Sequence, residues 1–125
     1  IQAAFTEEAF PLCSGSLNHL RSYTYITDVC QAIEKCILNS DHLNGQIINI
    51  GNEEENTTED AIKLVEKTTG KKIKLSIKPP REGDQLRTCA INQKAQALLN
   101  YSPSTSLKEG IRQHILWYQK HSRKD

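Results

Sequence analysis

The strongest constraint on this chain's fold lies in its middle, where a helical pattern gives way within a few residues to a strand. Ala61, Ile62, Leu64 and Val65 follow Thr57-Thr58, either of which can cap a helix, and Gly70 stands where that helix should stop. Ile73, Leu75 and Ile77 then alternate with lysines and Ser76, the period of a strand with one wet face, and Pro79-Pro80 ends it. A chain that must place a capped helix beside a strand of this kind is an α+β protein.

The flanking segments extend that reading. Residues 1–10 carry Ile1, Ala4, Phe5 and Ala9 at helical spacing and stop before Pro11. Ser14-Gly15-Ser16 with Asn18 reads as a turn between two short extended pieces, the second running from Arg21 to Ile26 with Tyr23 and Tyr25 on one side. Asp28 is expected to cap the next helix, with Gln31 completing a capping box and Val29, Ala32, Ile33, Cys36 and Ile37 forming its apolar stripe. Gln46 to Ile50 reads as a strand closed by Gly51. Asn92 is expected to cap a short helix with Ala95, Leu98 and Leu99. Ser106 and Glu109 form a second box before a terminal helix bearing Leu107, Ile111, Ile115 and Tyr118, with Lys120, Arg123 and Lys124 suited to its C-terminal end. Helices dominate, strands are few and short, and residues 1–125 read as a single domain.

Composition narrows the function classes. A formal charge of +1 gives no electrostatic reason to expect nucleic acid or an anionic membrane. No apolar run approaches the roughly 20 residues that span a bilayer. The start has neither the basic nor the apolar region of a signal peptide, and without an initiator Met the chain reads as trimmed or excerpted. Cys13, Cys30, Cys36 and Cys89 have no metal-ligand spacing and read as reduced thiols, so the expected setting is cytoplasmic. His114 and His121 could share a helix face, but no carboxylate or cysteine completes a metal site there.

A few residues have chemistry that fits a ligand. Arg21 ends a small-residue turn before an aromatic pair, and a guanidinium presents a planar fork of donors suited to phosphate oxygens. Its plain alternative is a surface arginine. Arg81 sits in Pro79-Pro80-Arg81-Glu82-Gly83-Asp84, where Gly83 permits a tight turn and Asp84 can hold the backbone or the arginine; the plain alternative is a solvated turn. Tyr23 could stack on a base or sugar, although aromatic residues at period two are more often core.

Arg21-Ser22-Tyr23-Thr24-Tyr25-Ile26-Thr27-Asp28-Val29, then Gly45 to Gly51, then Pro79 to Asp84, stand in the order and at the distances of a known pattern. With Leu98 to Pro103, Ser106 to Ile111 and Trp117-Tyr118, they make the chain resemble the C-terminal portion of extended short-chain dehydrogenases, from about Phe10 to His121. These are NAD-dependent epimerases, dehydratases and decarboxylases of nucleotide sugars. The resemblance implies that Arg21 and Arg81 contact the diphosphate from separate loops. It puts Asp84 near the ribose, and Asn49 and Gly51 at a strand end beside the substrate cleft. The substrate-binding set it suggests is Arg21, Arg81, Asp84, Tyr23 and Asn49.

The chain departs from the family where Leu17 stands for the second glycine of Gly-[Asp/Asn]-Gly. Gln85-Leu86-Arg87-Thr88 is similar to epimerases, whereas Asn44 to Asn56 is similar to decarboxylases. The family's Gly-rich dinucleotide turn and Tyr-x-x-x-Lys pair have no counterpart in these residues. The expectation is therefore a nucleotide-sugar-binding portion, UDP-sugar above all, without catalysis or NAD of its own. In the resembled enzymes the helix from Asp28 and the strand at Ile47 pack on the cofactor domain, so the expected partner is either that domain or a second copy. A non-enzymatic assembly module that kept the fold and lost the ligand is the alternative.

Overall fold

The computed structural model describes residues 1–122 of the chain. Helix α1 (Gln2–Thr6) leads into strand β1 (Phe10–Cys13), a single 3-10 turn (Ser16–Asn18) and β2 (Leu20–Ser22). Then come α2 (Ile26–Leu38), the one-turn α3 (Ser40–Leu43), β3 (Glu55–Thr57) and α4 (Thr58–Thr69). Strands β4 (Leu75–Lys78) and β5 (Arg87–Thr88) precede α5 (Gln93–Leu99) and α6 (Leu107–His121). The architecture is α+β with short strands. Among the described residues no helix is long and apolar enough to cross a membrane. Lys120 lies in the last turn of α6, whereas Arg123 and Lys124 lie outside the described residues.

Two small sheets organise the chain. β1 pairs in parallel with β4, and β2 lies between β3, antiparallel, and β5, parallel. The second sheet matters most for the site, because Leu20 stands opposite Arg87 and Arg21 opposite Thr88. That register, with Leu20 N–H donating to Leu86 O at 2.9 Å, draws the loop after Pro80 alongside the turn before Arg21.

Local signals act as expected in α4. The Thr57 hydroxyl accepts from Asp60 N–H, the Asp60 carboxylate accepts from Thr57 N–H, and Gly70 closes the helix at φ 70. Ser106 accepts from Glu109 N–H, but the Glu109 carboxylate turns to Arg112 and Gln113 instead of returning to the cap, so that box is half made.

Two element ends shift: α1 stops at Thr6, so Ala9 lies outside it, and the piece expected to run extended from Arg21 to Ile26 is strand only to Ser22, with Ile26 opening α2. Three further expectations are corrected. First, α2 begins at Ile26 with Tyr25 as its cap residue, which places Asp28 third in the first turn instead of at the cap. The Asp28 carboxylate is fully buried and accepts from Ser104 N–H at 3.2 Å, Ser104 Oγ at 3.1 Å and Thr105 N–H at 3.2 Å. Those donors come from the loop before α6, so Asp28 fastens two helices together and caps neither.

Second, the Asn92 side chain does not cap α5. It turns inward, and its Nδ2 donates to Gly51 O at 2.7 Å, where the Tyr101 hydroxyl also donates at 3.2 Å. Third, Gln46 to Ile50 is extended but belongs to no sheet. Ile48 and Ile50 pack on the core of Ala32, Ala95, Leu99 and Tyr101, while Ile47 is 84% exposed. Alternating apolar residues make a strand only where a neighbouring strand accepts the ladder.

Several apolar side chains lie open: Ile33 and Ile37 on α2, and Leu75 and Ile77 on β4. Of the apolar stripe on α2 the core takes the Ala32 and Cys36 side. The β1–β4 sheet has two strands among the described residues, and Leu75 and Ile77 on β4 stay exposed.

Candidate functional site

The turn at Ser16–Asn18 and the Arg81–Asp84 turn meet at a cavity of about 500 Å³ lined in part by Gly15, His19, Arg81 and Asp84. Gly83 makes the loop side of this wall possible. Its φ of 76 lies in the left-handed region, and Asp84 N–H donates back to Arg81 O at 3.3 Å.

Asp84 is the hub of the site. Its Oδ1 takes Arg21 Nη2 at 3.5 Å and Arg81 Nη2 at 3.2 Å. Its Oδ2 takes Ser16 Oγ at 3.3 Å and lies 3.5 Å from His19 Nδ1. The hydrogen bond from Arg81 holds the Asp84 carboxyl below the usual carboxylate range against a smaller opposing effect of burial, with Ser16 and His19 adding to the shift.

The two arginines are held differently. Arg21 donates to Leu20 O at 2.8 Å and to Gln85 O at 2.6 Å, so its guanidinium is built into the loop. Arg81 is 72% exposed on its side chain and meets the described residues through Asp84. One anchored and one exposed fork, from positions 60 residues apart, therefore meet at the Asp84 carboxylate, and Arg81 and Asp84 both line the cavity.

Arg21, Arg81 and Asp84 thus come together, while Tyr23 and Asn49 go elsewhere. Tyr23 lines an apolar cavity of about 300 Å³ with Phe10, Ile62, Val65, Leu107 and Ile111. Asn49 lines a different cleft of about 480 Å³ with Ser22, Thr24, Gly51 and Cys89. Gly51 allows a close approach there, since a Cβ on it would stand 2.4 Å from Ala90 Cβ. Sequence reasoning missed Ser16 and His19. A usable signal existed for His19, which is two residues before Arg21 and so falls on the same side of an extended chain.

Comparison with known proteins then places the fold. A family model described as GDP-mannose 4,6 dehydratase matches residues 1–114. The chain belongs to this family of NAD-dependent, extended short-chain dehydrogenase-type epimerases and dehydratases. It is 35% identical over 103 residues to an uncharacterised UDP-glucose epimerase of Bacillus subtilis, covering 82% of this chain and 32% of that protein. It is 30% identical over 104 residues to a UDP-glucuronate 4-epimerase of Thermodesulfobacterium geofontis, covering 82% of this chain and 31% of that one.

The structure superposes on UDP-glucuronic acid 4-epimerase from Bacillus cereus, in complex with UDP-glucuronic acid and NAD, with a TM-score of 0.87 at 25% identity. That match covers 95% of this chain and 38% of the Bacillus cereus enzyme. The chain therefore spans about a third of the length of the curated family members it matches.

NAD does not fit the residues described. A dinucleotide needs a strand followed by a glycine-rich turn and a free helix N-terminus. Here α4 follows β3 directly, and the Thr57–Asp60 box fills its N-terminus, while α2 opens on Tyr25. Among the described residues no cluster of three or more His, Cys, Asp or Glu could hold a metal ion, and the four cysteines are free thiols.

Proposed function

We propose that this chain is the nucleotide-sugar-binding portion of an NAD-dependent sugar epimerase or dehydratase, with a UDP-sugar as its ligand. Arg21 and Arg81 grip the diphosphate in this reading. The observation that carries it is their convergence on Asp84, which lines a cavity together with Arg81. Asp84 holds the forks near each other, which offsets their mutual repulsion before a ligand arrives. Arg21, anchored on two carbonyls, sets the position of one phosphate, and the exposed Arg81 closes on the other.

The chain's share of the reaction is binding and orientation, since none of the residues placed here accepts a hydride or abstracts a proton from the sugar. The assembly-module alternative calls for the two arginines to lie apart, and they do not.

Calorimetric titration with UDP-glucose and UDP-glucuronate tests the reading. The expected result is binding between micromolar and millimolar, weakened about tenfold or more by Arg81→Ala, the order of one lost charge-assisted contact. Arg81 is the better substitution because its exposed side chain leaves the loop built around Arg21 in place. No heat from a folded sample would overturn the assignment.

A further inference from the structure

The geometry points to His19 as a third, titratable cation of the diphosphate site, one that takes up a proton when the ligand binds. This inference rests on the reading of Arg21 and Arg81 given above and adds to it a residue and a pH dependence.

His19 is 9% exposed and lines the same cavity as Arg81 and Asp84. Its Nδ1 lies 3.5 Å from Asp84 Oδ2 and 3.4 Å from Arg21 Nη2. A ring nitrogen there can accept from the guanidinium or donate to the carboxylate, but not both at once. The neutral ring therefore has two competing arrangements, whereas the imidazolium has one, with Nδ1–H on Asp84.

Charge then decides which form the ligand favours. Without a ligand, two guanidinium groups face one carboxylate, a net of one positive charge beside the ring. That excess disfavours a further cation. A doubly esterified diphosphate brings a negative charge on each phosphate and engages the arginines, so the local balance becomes negative. Asp84 then shares its cations with the ligand, and the ring beside it gains by protonating.

Among the charged groups on the other elements around His19, Lys78 at the end of β4 and Glu82 in the Arg81–Asp84 turn are exposed, and those at the sheet edges and at the start of α4 are paired. Glu55 and Arg87, at the edges of the same sheet, bind each other at 2.6 Å. At the start of α4, Asp60 is held by Thr57 and Glu59 by Lys63. Cys13, at the end of β1, is a free and partly buried thiol.

UDP-glucose is a suitable probe because its diphosphate, esterified at both ends, has no proton to exchange near neutral pH. Its affinity for the full chain is expected to weaken as pH rises from about 5.5 to 8, approaching tenfold per pH unit where one proton is taken up. Binding heats should differ between buffers of unlike ionisation enthalpy, and His19→Gln should abolish both effects. If that variant does not fold, the native protein still decides the matter: the proton-NMR titration midpoint of the His19 ring should rise on saturation with UDP-glucose.

Binding that Arg81→Ala weakens, with an affinity independent of pH and a His19 midpoint that does not move, would overturn the role of His19 and leave the diphosphate site standing. Absence of binding at every pH would overturn both.

Discussion

Asp28 and Asp84 are each wrapped in donors, yet they do opposite work. Asp28 is sealed in the interior and accepts from two backbone N–H groups and a hydroxyl, all neutral. Around it stands a buried polar centre in which Asn92 and Tyr101 both donate to Gly51 O. Burial first, and the charge of Asp28 second, push the Tyr101 hydroxyl above its usual range and keep it a donor. Asp84 sits on a cavity wall and faces two guanidinium groups and an imidazole. A carboxylate satisfied by neutral backbone donors ties elements together. One satisfied by side-chain cations holds charge ready for a ligand.

The largest expected effect tests that contrast directly. Asp28→Ala removes the acceptor of two backbone N–H groups, each costing about 1–3 kcal/mol when left unpaired, so stability should fall by about 3 kcal/mol or more in urea unfolding. Asp84→Asn should move the urea midpoint far less, because donors on a cavity wall can turn to water. Equal shifts from the two substitutions would erase the distinction.

Next in size is Gly51→Ala, which drives a methyl group into Ala90 and should cost about 1–3 kcal/mol by overpacking. Ala90→Gly in the same chain should recover most of that loss, a coupling that separates the clash from any general effect of altering the segment. Thr57→Ala, which opens the box on α4, should cost about 1 kcal/mol and serves as a measure of a purely local contact.

The smallest effect is in the acid limb of the stability curve. Arg112, and after it Gln113, hold the Glu109 carboxyl down to about 2. A carboxylate with a depressed pKa in the folded state stabilises above its unfolded value, and that contribution is lost as pH falls through the folded value. Glu109→Gln should therefore flatten the loss of stability between pH 4.5 and about 2. Asp84, also depressed, should contribute with the same sign.

Much of the local fold was legible before any coordinates. The Thr57 cap, the Gly70 stop and the strand ended by Pro79-Pro80 all depend on residues within one turn of each other. Asp28 and Asn92 misled for the same reason. Each occupies a position compatible with a local cap, but their partners lie 76 and 41 residues away in sequence, at Ser104 and Gly51. The segment from Gln46 to Ile50 has the composition of a strand and no ladder to join.

At the candidate site, the motif drew attention to Arg21, Arg81 and Asp84, which meet, and to Tyr23 and Asn49, which line two other cavities. Alternation from His19, just before β2, to Arg21 would have added His19.

The sequence by itself determined where α4 starts and stops, and which loops carry the guanidinium forks and the acidic side chain. Those choices follow from caps, glycines and periodicity acting over a few residues. Only the tertiary structure decided which charges meet. The parallel register of β2 against β5 brings the Arg81–Asp84 turn to Arg21 and His19. It also decided that Asp28 staples rather than caps, since a carboxylate bonds whichever donors packing presents, and those came from the loop before α6.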